Sequence, residues 1–350
     1  MTVVFAGGGT GGHLYPAIAI ADALKSRAAI QFIGTADRLE ATIVPQAGYQ
    51  LHAIASRALP RSASLGVLAT IAANLKGTVQ SMRLLAAQRP DIVIATGGYV
   101  CFPVALAARI RRLLGLTRAP IVLLEPNAAP GLTNRLLTPI VDEVWTASSP
   151  GVPIRTSLRS LPDRAGATAR LRLDPSKQTL LAMGGSQGAR SINDALIALV
   201  AGGGLPAGWQ VLPLTGVGDF ERVRARLPNA RAYLDDMADA YAVADLVLAR
   251  AGASTLGELA ALGKPSILVP YPYAAQDHQA ENAARFESAG AAIVLTDERL
   301  AEGLAGALAH ASQPETMRAL AAGAARLGGT DPLRAILARI DALTSRKTAR

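Results

Sequence analysis

The same local pattern occurs twice in this sequence, once at the N-terminus and once near the middle. Residues 3–6 form a short apolar run that leads into the glycine-rich stretch 7–13, and residues 179–183 lead in the same way into 184–190. A buried strand that turns through glycines into a helix is the opening unit of a doubly wound parallel sheet. The repeat therefore predicts two α/β domains of one type, which agrees with a length of 350 residues.

Apolar runs alternate with helical patterns along both halves of the chain. In the first half the predicted strands are 3–6, 30–33, 92–95, 121–124 and 141–146, and the predicted helices are 16–26, 36–47, 65–88, 103–114 and 132–137. In the second half the predicted strands are 179–183, 209–215, 231–233, 246–249, 266–269 and 292–295, and an amphipathic helix at 333–343 closes the chain. This alternation predicts parallel sheets with helices on both faces.

The predicted fold class is α/β, with two doubly wound, Rossmann-like domains that face an interdomain cleft. Ligands of open α/β sheets bind beyond the carboxyl ends of the strands, so we expect the site there. A polar stretch near the middle of the chain separates the two patterns. It places the first domain at 1–150 and the second at 151–330, and we expect the closing helix at 331–350 to pack back on the first domain.

Composition limits the compartment and the chemistry. The single cysteine, Cys101, excludes an intramolecular disulfide, and no Cys/His cluster has the spacing of a zinc site. The sequence contains no run of about 18 apolar residues that would span a bilayer. Its first residues lack the basic region of a signal peptide. We therefore expect a cytosolic protein, or one attached to a membrane surface from the cytosolic side.

The charge is uneven along the chain. The net charge is +9, and residues 1–150 hold thirteen basic and seven acidic side chains. Such an excess favours anionic partners, namely phosphates, anionic lipid or nucleic acid, although an arginine-rich composition explains it equally well. Aromatic residues make up only 4% of the chain, which argues against the stacking platforms of nucleic-acid-binding proteins.

The first glycine stretch suits an anion, because glycines allow close backbone approach and a helix N-terminus follows. It also fits the dinucleotide pattern G-x-G-x-x-G, but the second strand ends in Gly34 and Thr35 without the acidic residue that contacts a ribose. A nicotinamide-dependent oxidoreductase is therefore disfavoured. His13 lies at the predicted helix start, where the dipole favours a neutral imidazole that accepts a proton. A hydrogen-bonded structural histidine is the alternative.

Polar residues also follow strands of the second half. Ser254 and Thr255 are placed to cap a helix or to hold a phosphate, and Glu258 is placed to accept two ribose hydroxyls or to complement the helix dipole. Gln279 belongs to a polar set that suits sugar hydroxyls.

The segment 65–88 has two interpretations. Its apolar residues Leu68, Ile71, Leu75, Val79 and Met82 recur at helical spacing beside Lys76 and Arg83. A stripe that faces the core is the favoured interpretation, and a membrane-surface patch with basic flanks is the other.

Taken together, these segments resemble the MurG family of bacterial peptidoglycan glycosyltransferases over essentially the whole chain. The segments that carry the resemblance are Gly8-Gly9-Thr10-Gly11-Gly12-His13, Gly34-Thr35-Ala36-Asp37-Arg38, Gly97-Gly98-Tyr99, Gly131-Leu132-Thr133-Asn134, Gly184-Gly185-Ser186-Gln187-Gly188-Ala189-Arg190, Asp235-Asp236-Met237 and residues 250–258. The resemblance implies the two-domain GT-B fold and inverting transfer of GlcNAc from UDP-GlcNAc to the muramyl C4 hydroxyl of lipid I. The product is lipid II, an intermediate of peptidoglycan synthesis.

The resemblance also implies the site residues. In the first domain they are Thr10, Gly11 and Gly12, which contact the donor, and Asn127, which contacts its GlcNAc part. In the second domain those that hold UDP-GlcNAc are Arg155, Ser186, Leu234, Ala253, Ser254, Thr255, Leu256, Gly257, Glu258 and Gln279. Leu234 is expected beside the uracil and Glu258 on the ribose hydroxyls. His13 is the expected catalytic base and Glu125 its rival, and neither a metal ion nor a cofactor is implied.

A polyprenyl-linked acceptor would place the enzyme on the cytoplasmic face of the plasma (inner) membrane as a peripheral protein. The candidate contacts with an anionic membrane surface are Arg57, Arg61, Lys76 and Arg83. Other cell-wall synthesis proteins are possible partners, and nucleic acid is not expected. Two alternatives stay open: a GT-B UDP-GlcNAc transferase with a soluble acceptor, and a nucleotide-sugar-binding module that recruits a partner transferase.

Overall fold

A computed structural model describes residues 1–58, 66–185, 187–234, 236–274, 277–329 and 331–348. The chain divides into two compact units, one of Met1–Arg155 with Asp331–Arg350 and the other of Thr156–Thr330. The division falls after Arg155, whereas the sequence pattern placed it after residue 150. Within the described residues, no helix has both the length and the apolar character needed to cross a bilayer.

Among the described residues, the strands of the first unit form a six-stranded parallel sheet in the order β3-β2-β1-β4-β5-β6. The strands are β1 (Thr2–Ala6), β2 (Ala29–Gly34), β3 (Gln50–Ala53), β4 (Ile92–Ala95), β5 (Ile121–Glu125) and β6 (Glu143–Thr146). The helices that follow them are α1 (Gly11–Leu24), α2 (Glu40–Gln46), α3 (Gly66–Gln88), α4 (Cys101–Leu113) and α5 (Leu132–Leu137). Strands β1, β4 and β5 are almost entirely buried, which explains their continuous apolar sequences.

The described strands of the second unit form a five-stranded parallel sheet in the order β11-β10-β9-β7-β8. The strands are β7 (Gln178–Met183), β8 (Trp209–Leu214), β9 (Leu246–Ala249), β10 (Ser266–Leu268) and β11 (Ala292–Val294). The helices are α6 (Arg164–Leu171), α7 (Arg190–Ala201), α8 (Phe220–Arg224), α9 (Ala238–Val243), α10 (Ala253–Ala261), α11 (His278–Ser288), α12 (Leu300–Ala311) and α13 (Pro314–Gly328). Short 3₁₀ turns lie at Thr138–Ile140, Thr156–Leu158 and Val217–Asp219.

The last helix, α14 (Pro332–Thr348), belongs to the first unit. Its residues Leu333, Ile336 and Ile340 are buried in the same core cluster as Leu14 of α1 and Trp145 of β6. The helix therefore completes one face of the first sheet, because burial of its apolar stripe removes it from water.

Several elements differ from the sequence expectations. Helix α2 begins at Glu40 and not at residue 36, and α14 runs to Thr348 and not to residue 343. Strand β3 was not predicted, because it is a partly exposed edge strand with polar residues and has no apolar run. Residues 231–233 were predicted as a strand, but the structure has only an isolated bridge between Arg231 and Leu214. Helix α1 begins at Gly11 and not at the predicted residue 16, so Pro16 lies inside it. Burial of Leu14 and its neighbours outweighs the poor helix propensity of the glycines.

Each sheet has a switch point, where successive connections leave in opposite directions. In the first unit it lies between β1 and β4, and in the second between β7 and β9. Ligands of doubly wound sheets bind at the carboxyl ends of such strand pairs. The glycine segments 7–10 and 184–189 follow β1 and β7, so each lies at the switch point of its own unit.

Candidate functional site

The glycine loop after β1 lies against the loop after β4. A Cβ on Gly98 would come within 2.4 Å of the Gly8 carbonyl oxygen, and a Cβ on Gly7 within 2.2 Å of Thr96 Oγ1. The Gly8 N–H also donates to the Gly97 carbonyl at 3.4 Å. Side chains would force these backbones apart, so glycine is required for the contact.

His13 is the third residue of α1 and is partly buried beside the same loop. Gly97 has φ of +108°, and a Cβ on it would lie 2.3 Å from His13 Nδ1. The imidazole therefore packs directly against the backbone that follows β4. This contact places the imidazole at the first switch point.

Thr10, Gly11 and Gly12 surround the N-terminus of α1. Thr10 is the exposed N-cap residue, and its side chain makes no capping hydrogen bond to the described part of the helix. A Cβ on Gly11 would come within 2.9 Å of the Tyr15 ring. The N-terminus of α1 thus presents backbone N–H groups and the positive end of the dipole at the loop, an arrangement that suits an anion.

Glu40, which no sequence signal indicated, contacts the first glycine loop on the side of α2. Its side chain is fully buried at the start of α2. Glu40 Oε2 accepts from the Gly9 N–H at 2.9 Å, and Oε1 accepts from the Thr35 N–H at 3.1 Å and the Thr35 hydroxyl at 2.6 Å. A glutamate at a helix start is common, so only the tertiary contact distinguishes it.

Glu125 is buried at the end of β5 and organises the loop that follows. Its Oε1 accepts from the N–H of Asn127 at 2.9 Å and from Asn127 Nδ2 at 3.0 Å. Its Oε2 accepts from the N–H of Gly131 at 3.3 Å and from Asn134 Nδ2 at 2.7 Å. Two donors to each oxygen fill the capacity of a carboxylate. Acceptance of a substrate proton by Glu125 would require the loss of one of these bonds.

Cys101 joins β1 to the loop after β4. Its thiol donates to the Ala6 and Gly97 carbonyls and accepts from the Gly97 N–H at 3.2 Å. Burial raises the pKa of the Cys101 thiol to about 12. A neutral thiol with these partners supports the loop and is no nucleophile.

Arg155 lies in the first unit, although the resemblance implied a place in the second. Its guanidinium is 4.5 Å from the centroid of the Tyr15 ring on α1. The side chain is therefore held beside the first glycine loop by a cation–π contact, which the linear sequence did not predict.

The second glycine loop is equally close to neighbouring backbone. A Cβ on Gly188, which has φ of +75°, would come within 2.0 Å of the Thr215 carbonyl oxygen after β8. Asn193 of α7 donates to the same carbonyl at 3.1 Å and to Asp219 at 2.7 Å. These contacts therefore restrict the backbone conformation of the loop between β7 and α7. Ser186, one of the residues expected to hold UDP-GlcNAc, lies outside the described residues.

Helix α10 begins immediately after the second switch point. Gly252 is its N-cap, so Ser254 and Thr255 lie within the first turn and are not caps. Ala253 and Leu256 are buried, and Gly257 is half-buried. Glu258 lies in the second turn of the helix. Because the dipole effect falls off within one turn, the dipole does not explain a buried glutamate there.

The Glu258 carboxylate is positioned by a tyrosine. Tyr241 of α9 is fully buried, and its hydroxyl donates to Glu258 Oε2 at 2.8 Å. The hydroxyl also lies 3.9 Å from Met183 Sδ at the end of β7. The contact connects α9, α10 and β7 at the carboxyl edge of the second sheet.

Arg250, which follows β9, links four segments of this edge. It donates to the carbonyls of Val269 and Pro270 at 3.2 Å, to Asp297 at 2.5 Å and to Ser191 at 2.8 Å. The side chain is buried, so these contacts hold the loops after β9, β10 and β11 to the start of α7. Arg250 belongs to the segment 250–258 that carries the family resemblance, but the sequence indicated no role for it.

Of the two remaining residues predicted to bind the donor, Leu234 lies on a loop of the second unit and Gln279 lies at the start of a helix. Leu234 is half-buried in the segment before α9. Gln279 lies in the first turn of α11, and its Oε1 accepts from the Tyr271 N–H at 3.0 Å. That bond ties the loop after β10 to α11, so part of the Gln279 side chain already supports the loop.

Helix α3 carries an apolar stripe that faces water. Leu68, Ile71, Leu75 and Val79 are 67%, 48%, 60% and 51% exposed. The favoured expectation of a core-facing stripe is therefore wrong for these four residues, although Met82 does pack against the core.

The buried face of α3 is made largely of small residues. They are Thr70, Gly77, Thr78 and Ser81, joined by Leu85. The hydroxyls of Thr78 and Ser81 bond to carbonyls one turn earlier, so small polar residues can be buried without loss.

Family models match both halves of the chain. Residues 3–146 match the glycosyltransferase family 28 N-terminal domain, and residues 179–329 match the glycosyltransferase family 28 C-terminal domain. These ranges contain nearly all the strands of the two sheets.

Similar proteins cover nearly the whole chain. A Chlorobium luteolum protein named UDP-N-acetylglucosamine–N-acetylmuramyl-(pentapeptide) pyrophosphoryl-undecaprenol N-acetylglucosamine transferase is 42% identical, over 97% of this chain and 98% of the relative. A protein of the same name from Desulforamulus reducens is 35% identical, over 99% and 100%.

Solved structures agree in fold. The crystal structure of Acinetobacter baumannii MurG superposes with a TM-score of 0.72 at 26% identity, over 97% of this chain and 99% of that one. The glycosyltransferase VinC in complex with dTDP has a TM-score of 0.66 at 17% identity, over 99% and 100%, and this shows a shared fold alone. The predicted α/β class with two Rossmann-like units is thereby confirmed.

Proposed function

The chain belongs to glycosyltransferase family 28, and we propose that it transfers GlcNAc from UDP-GlcNAc to the muramyl C4 hydroxyl of lipid I, forming lipid II. The observation that carries this function is the similarity to the two relatives described above, both of which are named as this transferase. Their sequence identities to this chain are 42% and 35%, over at least 97% of its length. Because it extends through both units, it includes both switch points.

The second unit is proposed to hold the donor. The buried Glu258 carboxylate would accept two ribose hydroxyls, with Leu234 beside the uracil. The glycine loop after β7 and the N-terminus of α10 would donate N–H groups to the diphosphate. Support for this assignment comes from the Tyr241 hydroxyl, which orients Glu258 at the carboxyl edge where ligands of such sheets bind.

The first unit is proposed to supply the base and to bind the acceptor. His13 packs against Gly97 at the switch point of this sheet, so its imidazole is fixed in place. Glu125 would hold Asn127 and Asn134 in position to contact substrate and would not exchange protons.

The proposed reaction is a direct displacement. The C4 oxygen of the muramyl sugar forms a bond to the anomeric carbon of GlcNAc while the bond from that carbon to UDP breaks, which inverts the configuration. His13 accepts the hydroxyl proton, and UDP leaves with the bonding electron pair. N–H groups at the glycine loops and helix N-termini stabilise the charge that develops on the leaving diphosphate.

We also propose that α3 docks the enzyme on the cytoplasmic face of the plasma membrane. Its exposed apolar stripe runs beside exposed Lys76 and Arg83. Arg57 lies alongside because Asn74 bonds its backbone N–H and carbonyl, and Arg61 lies outside the described residues. Apolar insertion together with basic contacts suits an anionic bilayer that carries the acceptor.

The decisive test is transfer of radiolabelled GlcNAc from UDP-GlcNAc to a lipid I analogue and, in parallel, to a soluble muramyl glycoside. We expect labelled product with the lipid analogue. Turnover on the soluble glycoside alone would replace the lipid acceptor by a soluble one. Binding of UDP-GlcNAc without transfer to either acceptor would leave a nucleotide-sugar-binding module.

A further inference from the structure

We propose that Glu40 is a positioning residue that fixes the peptide plane between Gly8 and Gly9 and thereby holds the first glycine loop in its working conformation. The proposal rests on the function proposed above, because it assigns Glu40 to the loop that precedes His13. Glu40 lies behind the loop and is fully buried, so it acts through the backbone and not by contact with substrate.

The Glu40 carboxylate accepts three hydrogen bonds from described residues. The Gly9 N–H reaches Oε2 from 31 positions away in sequence, and Thr35 donates its N–H and its hydroxyl to Oε1. Within the described part of the chain no basic side chain forms an ion pair with Glu40, so these donors alone offset the loss of water around the carboxylate. Thr35 anchors one oxygen, and the other is thereby directed at Gly9.

A planar trans peptide points its C=O and the following N–H in opposite directions. The Gly9 N–H faces Glu40, and the Gly8 carbonyl faces Gly98, whose Cβ would meet that oxygen at 2.4 Å. The plane is therefore held on both sides. Gly9 has φ of +85°, a conformation that glycine reaches readily and also leaves readily. Without Glu40 the plane can rotate, and rotation would displace Thr10 and the start of α1.

The test variant is Glu40→Gln, which keeps the shape of the side chain. Whichever way the amide turns, its NH2 faces either the Gly9 N–H or the Thr35 N–H, so one backbone donor loses its acceptor. We expect kcat for GlcNAc transfer to fall about tenfold to a hundredfold, because small displacements of catalytic groups have effects of that size. The KM for UDP-GlcNAc should change by a smaller factor than kcat, since most of the residues assigned to the donor lie in the second unit and only Thr10, Gly11 and Gly12 lie at the first glycine loop.

Hydrogen–deuterium exchange gives a readout that does not depend on turnover. In Glu40→Gln the amides of residues 7–9 should exchange faster, while those of strands β1 and β4 keep the rates of the parent. The matched control is Glu143→Gln, which removes the same charge from a residue at the start of β6 that accepts from Trp145 Nε1 at 3.0 Å. This control should change neither kcat nor loop exchange.

A second variant covers the case in which Glu40→Gln does not fold. Thr35→Val removes only the hydroxyl donor to Oε1 and should lower kcat in the same direction by a smaller factor. The proposal is overturned if Glu40→Gln folds and keeps both the parental kcat and the parental amide exchange at residues 7–9. If Glu40→Gln does not fold, a folded Thr35→Val with the parental kcat overturns the proposal instead. If the parent itself transfers no GlcNAc, the proposed function fails, and the exchange data still decide whether Glu40 holds the loop.

Discussion

The hydroxyl of Tyr241 donates a 2.8 Å hydrogen bond to Oε2 of Glu258, and both side chains are buried at the carboxyl edge of the second sheet. The bond leaves the carboxylate in one orientation relative to the glycine loop after β7. In the proposed donor site, recognition of the ribose would depend on that orientation, because two hydroxyls must reach one carboxylate together.

We predict that Tyr241→Phe weakens UDP binding by about 1–2 kcal/mol, a factor of about 5 to 30, because Glu258 loses its orienting donor. Glu258→Ala should weaken it further and remove the preference for UDP over 2′-deoxy-UDP. Calorimetric titration with both nucleotides measures these effects. The control is Tyr49→Phe, which breaks a comparable 2.6 Å bond to Asp22 in the first unit. Equal affinity of parent and Glu258→Ala for UDP would contradict the ribose assignment.

For His13→Ala we predict a fall in kcat of about a hundredfold to ten-thousandfold, the usual effect of removing a general base. UDP-GlcNAc affinity should be nearly unchanged. Steady-state kinetics with a lipid I analogue test this expectation. His52→Ala is the control, because His52 bonds Gln31 at 2.7 Å across β2 and β3 and is not assigned to the proposed site. Parental turnover in His13→Ala would exclude His13 as the base.

Glu125→Gln separates support of a loop from proton transfer. In the parent, four donors bond the two carboxylate oxygens of Glu125, whereas the amide of the variant has only one acceptor oxygen. We therefore predict a loss of about 1–3 kcal/mol in the free energy of unfolding. Chemical denaturation monitored by tryptophan fluorescence measures it. A variant as stable as the parent but nearly inactive would instead indicate that Glu125 exchanges a proton with substrate.

Replacement of Ile71 and Leu75 by serine should reduce binding to vesicles that contain phosphatidylglycerol, because both side chains are about half exposed or more on the α3 stripe. Turnover on a detergent-solubilised acceptor should persist. Val217→Ser, at a residue 77% exposed in the second unit, serves as the control. Vesicle binding unaffected by the paired substitution would rule out docking through α3.

Cys101 gives a prediction for pH. Burial raises its pKa from the usual 9.0 to about 12. Between these two pH values the thiol is therefore neutral in the folded protein and ionised in the unfolded one. Its stabilising effect is complete below pH 9 and is lost as pH rises toward 12, since the unfolded state then binds fewer protons. The free energy of unfolding should fall over that range, and less steeply in Cys101→Ala. Rapid labelling of the native thiol at pH 8 would show that it is not buried in solution.

Much of the fold could be predicted from local pattern. Buried parallel strands such as β4 and β9 are continuous apolar runs, and their predicted bounds agree with the structure. Edge strands lack this signal, because one side is exposed and accepts polar residues, so β3 was missed. Residues 231–233 were predicted as a strand, but the pairing there is an isolated bridge between Arg231 and Leu214. The Arg231 side chain donates to the Leu171 carbonyl at 2.6 Å.

The candidate site was predicted less completely than the fold. Glycine-rich loops can be recognised from the sequence, because few structural positions require several glycines in succession. Residues that hold such segments from behind carry no local signal. Glu40 is one of many acidic residues near a helix start, and Arg250 is one of many arginines, until the tertiary contacts show which groups they bond.

The sequence by itself determined two doubly wound units, the location of their glycine loops and the helical period of α3, because these properties depend on residues close together in the chain. Only the tertiary structure decided which face of α3 is buried. Periodicity identifies a stripe, but small residues such as Gly77 and Ser81 allow close packing that leaves Leu68 and Leu75 in water. It also decided that Glu125 accepts four bonds and that Glu40 reaches Gly9, since long-range contacts depend on which strands become neighbours.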